Sequence, residues 1–159
     1  MRGPATTTTN GIGDDLDAAP VARGELATLG RALRAAGLLD DDLDAEGLTL
    51  YAFAQGDGVI GYGGLELCGE SALVRSILVD AGARRHGVGR RIVEHLLMTA
   101  ARGGVRRAFL LTTDARAFFE RLGFTAIDRK SAPSEILATR QAAGLCPASA
   151  VLMVKALTQ

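Results

Sequence analysis

Residues 83–91 read ARRHGVGRR and set four arginines, a histidine and two glycines in nine positions directly after a strand-like run. Gly87 and Gly89 let a backbone approach a ligand and turn its amides inward. Amphipathic spacing after them announces a helix, whose first turn offers unpaired N–H groups and a positive dipole end. Arg84, Arg85, Arg90 and Arg91 thicken that field. The combination suits a pyrophosphate; its bland counterpart is a solvated basic turn. A Walker loop needs GxxxxGK[ST], and no lysine or hydroxyl follows here; a dinucleotide fingerprint needs a third glycine where this chain has Ile92.

A second group with chemical potential lies upstream. Alternation along 58–67 puts Ile60, Tyr62, Gly64 and Glu66 on one strand face. If Cys68 and Ser71 bracket a two-residue turn, Gly64 faces Arg75, and Glu66 lies diagonal to Arg75 on the same face. An arginine in an otherwise apolar strand is costly unless paired. Glu66 and Arg75 are thus either a structural ion pair or a base and an anchor for a substrate's amine or carboxylate. His95, three residues after Ile92, is read as a surface or boundary histidine, and His86 as contributing its amide and not its ring.

The elements that hold these residues follow from periodicity. Residues 1–19 lack any and are expected to be a disordered tail, with a single domain over 20–159. Leu26, Leu29, Leu33 and Leu38 have helical spacing, and the acidic run 40–47 is expected to be an exposed connection. Strands are expected at 48–55 and 58–67 around a Gly56-Asp57-Gly58 turn, and at 72–80, the last apolar except for Arg75 and Ser76. Val88, Ile92, Leu96 and Ala100 mark the helix after the loop, ended by Gly103-Gly104. A strand at 107–113, a short helix at 115–124, a strand from 124, a short helix at 133–141 and a final strand at 149–157 complete an α+β domain around a mixed sheet.

At 159 residues the chain suffices for one real core. A formal net charge of zero argues against nucleic acid or an anionic membrane as partner. No run of about 18 apolar residues is present, so no membrane-spanning helix is expected. The first residues lack the apolar core of a secretory signal. Cys68 and Cys146, without CxxC spacing, suit a reducing cytoplasm and no metal site.

Taken in order, strand, Arg84-x-x-Gly87-x-Gly89, helix, strand and Ala117-Phe118-Phe119-Glu120-Arg121-Leu122-Gly123-Phe124 resemble the GCN5-related N-acetyltransferase (GNAT) superfamily. LTTDARAFFERLGF and ILATRQAAGLCPASAVLM look more narrowly like the acetyltransferases of bacterial arsenic-resistance operons. The resemblance spans residues 24–157. It implies a GNAT fold, acetyl-CoA as donor, and a small-molecule amine as acceptor, amino-acid-like or arsenic-linked, attacking the thioester directly. It implies cofactor contacts from Arg84, Arg85, His86, Gly87, Val88, Gly89 and Arg90, an oxyanion-binding amide near Leu78 or Val79, and a pantetheine-flanking Phe119. Many members carry tyrosine at that last position, where it is thought to protonate the leaving thiolate; Phe119 cannot. Of the two rings, Phe118 is the one expected to serve mainly as core packing.

Glu66 is the candidate base, with Arg75, Ser76 and Arg140 the candidate acceptor contacts. A lysine-like amine of pKa about 10.4 costs ~4.6 kcal/mol to deprotonate at neutral pH, a peptide α-amine near 8 only ~1.4 kcal/mol. A base therefore matters for the first class and is nearly optional for the second. Alternatives are N-acetylation of an ordinary amino acid such as glutamate, or a non-catalytic acyl-CoA-binding regulatory module. Superfamily members are often homodimers, though no interface is legible here.

Overall fold

In the computed structural model, residues 16–84, 86–145 and 148–158 are described. Their centre is a seven-stranded mixed sheet of order β1-β2-β3-β4-β5-β7-β6. The strands are β1 (Asp17–Pro20), β2 (Leu48–Gln55), β3 (Gly58–Cys68), β4 (Ser71–Val79), β5 (Arg107–Thr112), β6 (Thr125–Ile127) and β7 (Val151–Ala156). Helices α1 (Leu26–Ala35), α2 (Val88–Arg102), α3 (Arg116–Arg121) and α4 (Ser134–Leu137) flank it. Every neighbouring pair is antiparallel except β4 and β5. The α+β expectation holds in class, and the elements expected from Leu26 onward occur in the expected order.

The two faces of the sheet are covered differently. On one, Ile92, Val93, Leu96 and Ala100 of α2 are fully buried against Phe53, Leu65 and Val74. On the other, Leu29 and Leu33 of α1 close over Leu50 and pack with Tyr62 and Leu78, while Ile136 of α4 packs on Leu73 and Phe109. Each such leucine or isoleucine contributes about 1.5–3 kcal/mol of burial.

The glycines of β3 set how closely α2 sits. A β-carbon on Gly61 would stand 2.7 Å from Ile92 Cδ1, and one on Gly63 2.8 Å from Ile92 Cγ2 and 3.0 Å from Leu96 Cδ1. Only a strand without side chains there admits the helix at this depth.

The structure departs from the sequence expectations in four places. All but the last residue of β1 lies inside the stretch 1–19 expected to be tail: Asp17 to Pro20 pair with Ala54 to Tyr51 of β2. Its residues, Asp-Ala-Ala-Pro, carry no strand signal, and the terminal proline is tolerated because β1 is an edge. Residues 1–15 lie outside the described residues. Ile60 leaves the face of Tyr62 and packs with the α2 cluster. Phe53 pairs with Gly61 and Ala54 with Val59, so Ile60 is an extra residue and the alternation slips. The acidic run is not uniformly solvated either, since Asp42 is fully buried. The expected helix over 133–141 shortens to α4 plus a separate wide turn at Gln141–Leu145.

Candidate acetyl-transfer site

Strand β4 is where the site begins. Tyr62 pairs with Leu78 and Gly64 with Arg75, two steps of β3 against three of β4. The surplus residue is Ser76, at φ 58°, in the left-handed region that L-residues seldom enter. The insertion changes what each later side chain meets. Val74 lies with α2 before it; after it Ile77 and Val79 lie with α2 and Leu78 with α1.

Past the bulge β4 also loses its other neighbour. Pairing with β5 is confined to Ser71–Arg107, Ala72–Ala108 and Leu73–Phe109, although β4 runs on to Val79 and β5 to Thr112. The parallel strands therefore splay from Val74 and Leu110 onward, leaving backbone polar groups of β4 facing a gap. Ladder alternation identifies which ones. Asp80 N–H donates to Ile60 O at 2.8 Å, so Leu78, two residues back, is also directed at β3, and Val79 is directed at the gap. Val79 O is accordingly available to Arg84, whose Nε donates to it at 3.1 Å. Of the two amides expected near an oxyanion, Leu78 is committed to the sheet, and Val79 faces the opening.

The loop after β4 delivers α2 to the mouth of that gap. A single turn at Ala81–Ala83 is followed by Gly87 at φ 77°, the N-cap of α2, and no side chain caps the helix. The β-carbon absent at Gly89 would meet the Phe118 ring at 3.4 Å and Val79 Cγ2 at 3.7 Å. The helix start, the end of β4 and α3 thus converge on one glycine. Arg84 and His86 are exposed, Val88 is buried in the core, and Arg90 is exposed with its Nε on Glu94 at 2.9 Å. Arg85 lies outside the described residues.

The two phenylalanines exchange their expected environments. Phe119 is in the main core, edge-on to Phe124 at 5.8 Å, while Phe118 is the half-buried ring beside Gly89. Residue 119 faces inward because α3 is a short helix whose inner side must close over the core.

Across the sheet from α2 lies a buried polar cluster. The Gly64–Arg75 and Cys68–Ser71 pairings expected from the turn both occur, and Arg75 Nη1 donates to Glu66 Oε1 at 3.2 Å. Sequence reasoning missed the dominant partner. Asp42, from the loop after α1, accepts from Arg75 Nη1 at 2.6 Å and Nη2 at 2.5 Å. Arg75 Nε donates to Ser76 Oγ at 3.2 Å. Every nitrogen of the guanidinium has a protein partner, and side-chain exposures are 1% for Arg75, 0% for Asp42 and 8% for Glu66. The arrangement fits the ion-pair alternative for Arg75 and not a carboxylate grip. The signal that could have found Asp42 was the one that flagged Arg75, a buried charge in want of an opposite one.

The remaining candidates lie apart from this cluster. Arg140 is exposed at the start of the wide turn, between buried Thr139 and Gln141. Thr139 Oγ1 accepts from Ala142 N at 3.3 Å and helps to form that turn. Cys146 and Pro147 lie outside the described residues. His95 stacks edge-on against Tyr51 and Phe53, and burial, with Arg102 adding to it, lowers its pKa. The Cys68 thiol is pushed up to about 11 by burial and then by Glu66 and Glu135. Among the described residues no cluster of His, Cys, Asp and Glu could hold a metal, and no helix is long and apolar enough to cross a membrane.

A splayed parallel pair feeding an uncapped helix after RxxGxG suits the acetyl-CoA loop that the resemblance implies, and comparison with known proteins gives the family. The acetyltransferase (GNAT) domain model matches residues 46–126, and the chain belongs to this family. An amino-acid acetyltransferase of Mycobacterium tuberculosis is 35% identical over 79 residues. That match takes in 49% of this chain and 45% of the relative, so the chain spans under half of that protein's length. N-acetylglutamate synthase from Neisseria gonorrhoeae, solved with coenzyme A and N-acetyl-glutamate, superimposes with a TM-score of 0.74 at 19% identity. The superposition covers 91% of this chain and 36% of that one. A GNAT acetyltransferase of Staphylococcus aureus covers 91% of this chain and 100% of its own at TM-score 0.70 and 18% identity. These structural likenesses establish the fold.

Proposed function

We propose that the chain is a cytoplasmic N-acetyltransferase that moves the acetyl group of acetyl-CoA to the amine of a small, amino-acid-like molecule. The observation that carries this reading is the meeting of the β4–β5 splay with the uncapped start of α2. An extended pantetheine arm needs a strand edge to lie along and a pyrophosphate needs converging amides; the two features adjoin at Gly89. Gly87, Val88, Gly89 and Arg90 would offer backbone N–H groups to the pyrophosphate, with Arg84 and His86 beside them.

In the reaction, the amine nitrogen forms a bond to the thioester carbonyl carbon as the carbon–sulfur bond breaks. Val79 N–H, directed at the gap, stabilises the oxyanion that develops. Glu66, five residues along β3 from Gly61, the partner of Val79, takes up through intervening water the proton that the amine gives up. Its Oε1 is held by Arg75, and no partner is found for Oε2 among the described residues, so a buried carboxylate oxygen remains open to that water. The leaving thiolate takes its proton from water, a step worth only about 2 kcal/mol at neutral pH for an ordinary thiol. Phe119 in the core is compatible with this, since no side-chain acid is required there.

Two named relatives, the amino-acid acetyltransferase and N-acetylglutamate synthase, support an amino acid as acceptor. The resemblance of 111–124 and 136–153 to arsenic-operon enzymes adds arsenic-bearing amino acids to the class. Arg75 serves as the buried cation that holds Glu66, and the exposed Arg140 is the arginine suited to a substrate carboxylate. The test is thiol release from acetyl-CoA against the amino acids and their arsenic and phosphorus analogues. Turnover of one amine well above the rest supports the assignment. Tight CoA binding without turnover of any amine would replace it with a regulatory acyl-CoA-binding module.

A further inference from the structure

The buried cluster has a charge imbalance that the proposed function leaves unused. One guanidinium faces two carboxylates, so the cluster carries an excess negative charge when both are ionised. The sharing is unequal. Asp42 takes the fork of Arg75 with two bonds, at 2.6 and 2.5 Å, whereas Glu66 receives one at 3.2 Å. Arginine binds a carboxylate best through that planar fork, and a carboxylate so bound has both oxygens occupied. Had Glu66 held the fork, it would have no oxygen left for that water.

We propose that Asp42 is a positioning residue: by saturating the fork of Arg75 it leaves Glu66 singly held, with one buried oxygen open to the water that carries the amine's proton. The inference rests on Glu66 being the group that takes the amine's proton. It assigns a function to the loop between α1 and β2, whose acidic run otherwise looks like a solvated connection. Ser76 belongs to the same unit, since its Oγ accepts from Arg75 Nε. The fork is therefore fixed from the third side by the residue that makes the β4 bulge.

The geometry separates Asp42 from an ordinary stabilising partner. A merely structural aspartate would change stability, where it is coupled to Glu66 through Arg75 in any case, without a selective loss of amine kcat/KM. An aspartate that acts through Glu66 has nothing left to position once Glu66 is gone.

The experiment compares wild type, Asp42→Asn, Glu66→Gln and the double variant, using the best amine of the panel. In Asp42→Asn, Arg75 is free to turn its fork onto Glu66. Since a positioned base contributes about 10²–10⁴-fold, kcat/KM for the amine is expected to fall at least ~10-fold, with the acetyl-CoA KM within about twofold of wild type. The double variant is expected to be no slower than Glu66→Gln alone. Wild-type amine kinetics in Asp42→Asn, or additive losses in the double variant, overturn the proposal. If Asp42→Asn does not fold, Asp42→Glu, which keeps a carboxylate for the fork of Arg75, is compared with Glu66→Gln. Amine kcat/KM in Asp42→Glu is expected to stay well above that of Glu66→Gln because the fork remains occupied, and a value as low as Glu66→Gln overturns the proposal. A wild-type protein that turns over no amine refutes the acetyl-transfer reading itself and takes this inference with it. An active wild type matched by Asp42→Asn refutes the inference alone.

Discussion

Replacing Gly89 by aspartate sets two electrostatic effects against each other at one position. The fold should accept the change. A β-carbon at Gly89 meets Phe118 at 3.4 Å and Val79 at 3.7 Å, ordinary to slightly tight contacts that a small shift of the ring relieves. A carboxylate in the first turn of α2, which no side chain caps, is favourable to the helix by about 0.3–1 kcal/mol. The melting temperature should hold steady or rise slightly. The same carboxylate repels a pyrophosphate bound at the helix start. At a separation of ~5 Å and an effective dielectric constant near 20, the repulsion is about 3 kcal/mol per charge pair, which weakens CoA binding on the order of 100-fold. Gly89→Ala is the control for shape and should bind CoA within a few-fold of wild type. Calorimetric titration with CoA, alongside thermal melts of all three proteins, reads both effects. Folded Gly89→Asp protein with unchanged CoA affinity would refute the placement of the pyrophosphate at α2.

Three further outcomes are expected. Gly63→Val pushes into Ile92, Leu96 and Ile77 and should destabilise the protein by at least ~1–3 kcal/mol in urea unfolding; an unchanged midpoint would refute the close seating of α2. His95 has a folded pKa below its ordinary value because it is buried. As pH falls below about 6.5 the unfolded chain takes the proton first, and stability is lost in that window. His95→Leu should therefore lose less stability than wild type between about pH 8 and pH 5, and identical losses would contradict this. Cys68, raised to about 11, should be alkylated at about pH 8 roughly 100-fold more slowly than a free thiol, as peptide mapping can follow. Labelling at the rate of a model thiol would place Cys68 in an ordinary solvent-exposed setting.

The sequence was most informative where local rules act alone. The β2–β3 hairpin and the pairing of Gly64 with Arg75 across the β3–β4 turn follow from alternation and turn chemistry. Helix α2 follows from its four-residue apolar spacing and its glycine ends. What escaped was set by distant partners. β1 forms because β2 offers it an edge, not because Asp-Ala-Ala-Pro prefers to be extended. Asp42 is indistinguishable in sequence from its acidic neighbours, and only the chain's path from α1 to β2 brings it to Arg75. In the site, Phe118 and Phe119 were legible as a pair but not in their assignment, because the rotation of a one-and-a-half-turn helix is fixed by the core it covers and not by its own period.

The single residue that β4 inserts at Ser76 also constrains how the strand can change over time. Losing Ser76 would leave Ile77 and Val79 toward α2 and Leu78 toward α1, because a bulged residue does not count in the alternation, but it would remove the local bend and added twist that a bulge gives a strand. One further residue inserted after it would reverse Ile77, Leu78 and Val79 and turn the amide of Val79 away from the gap. Related chains that keep this site are thus expected to align through residues 71–79 without a gap, however far their loops have diverged in length.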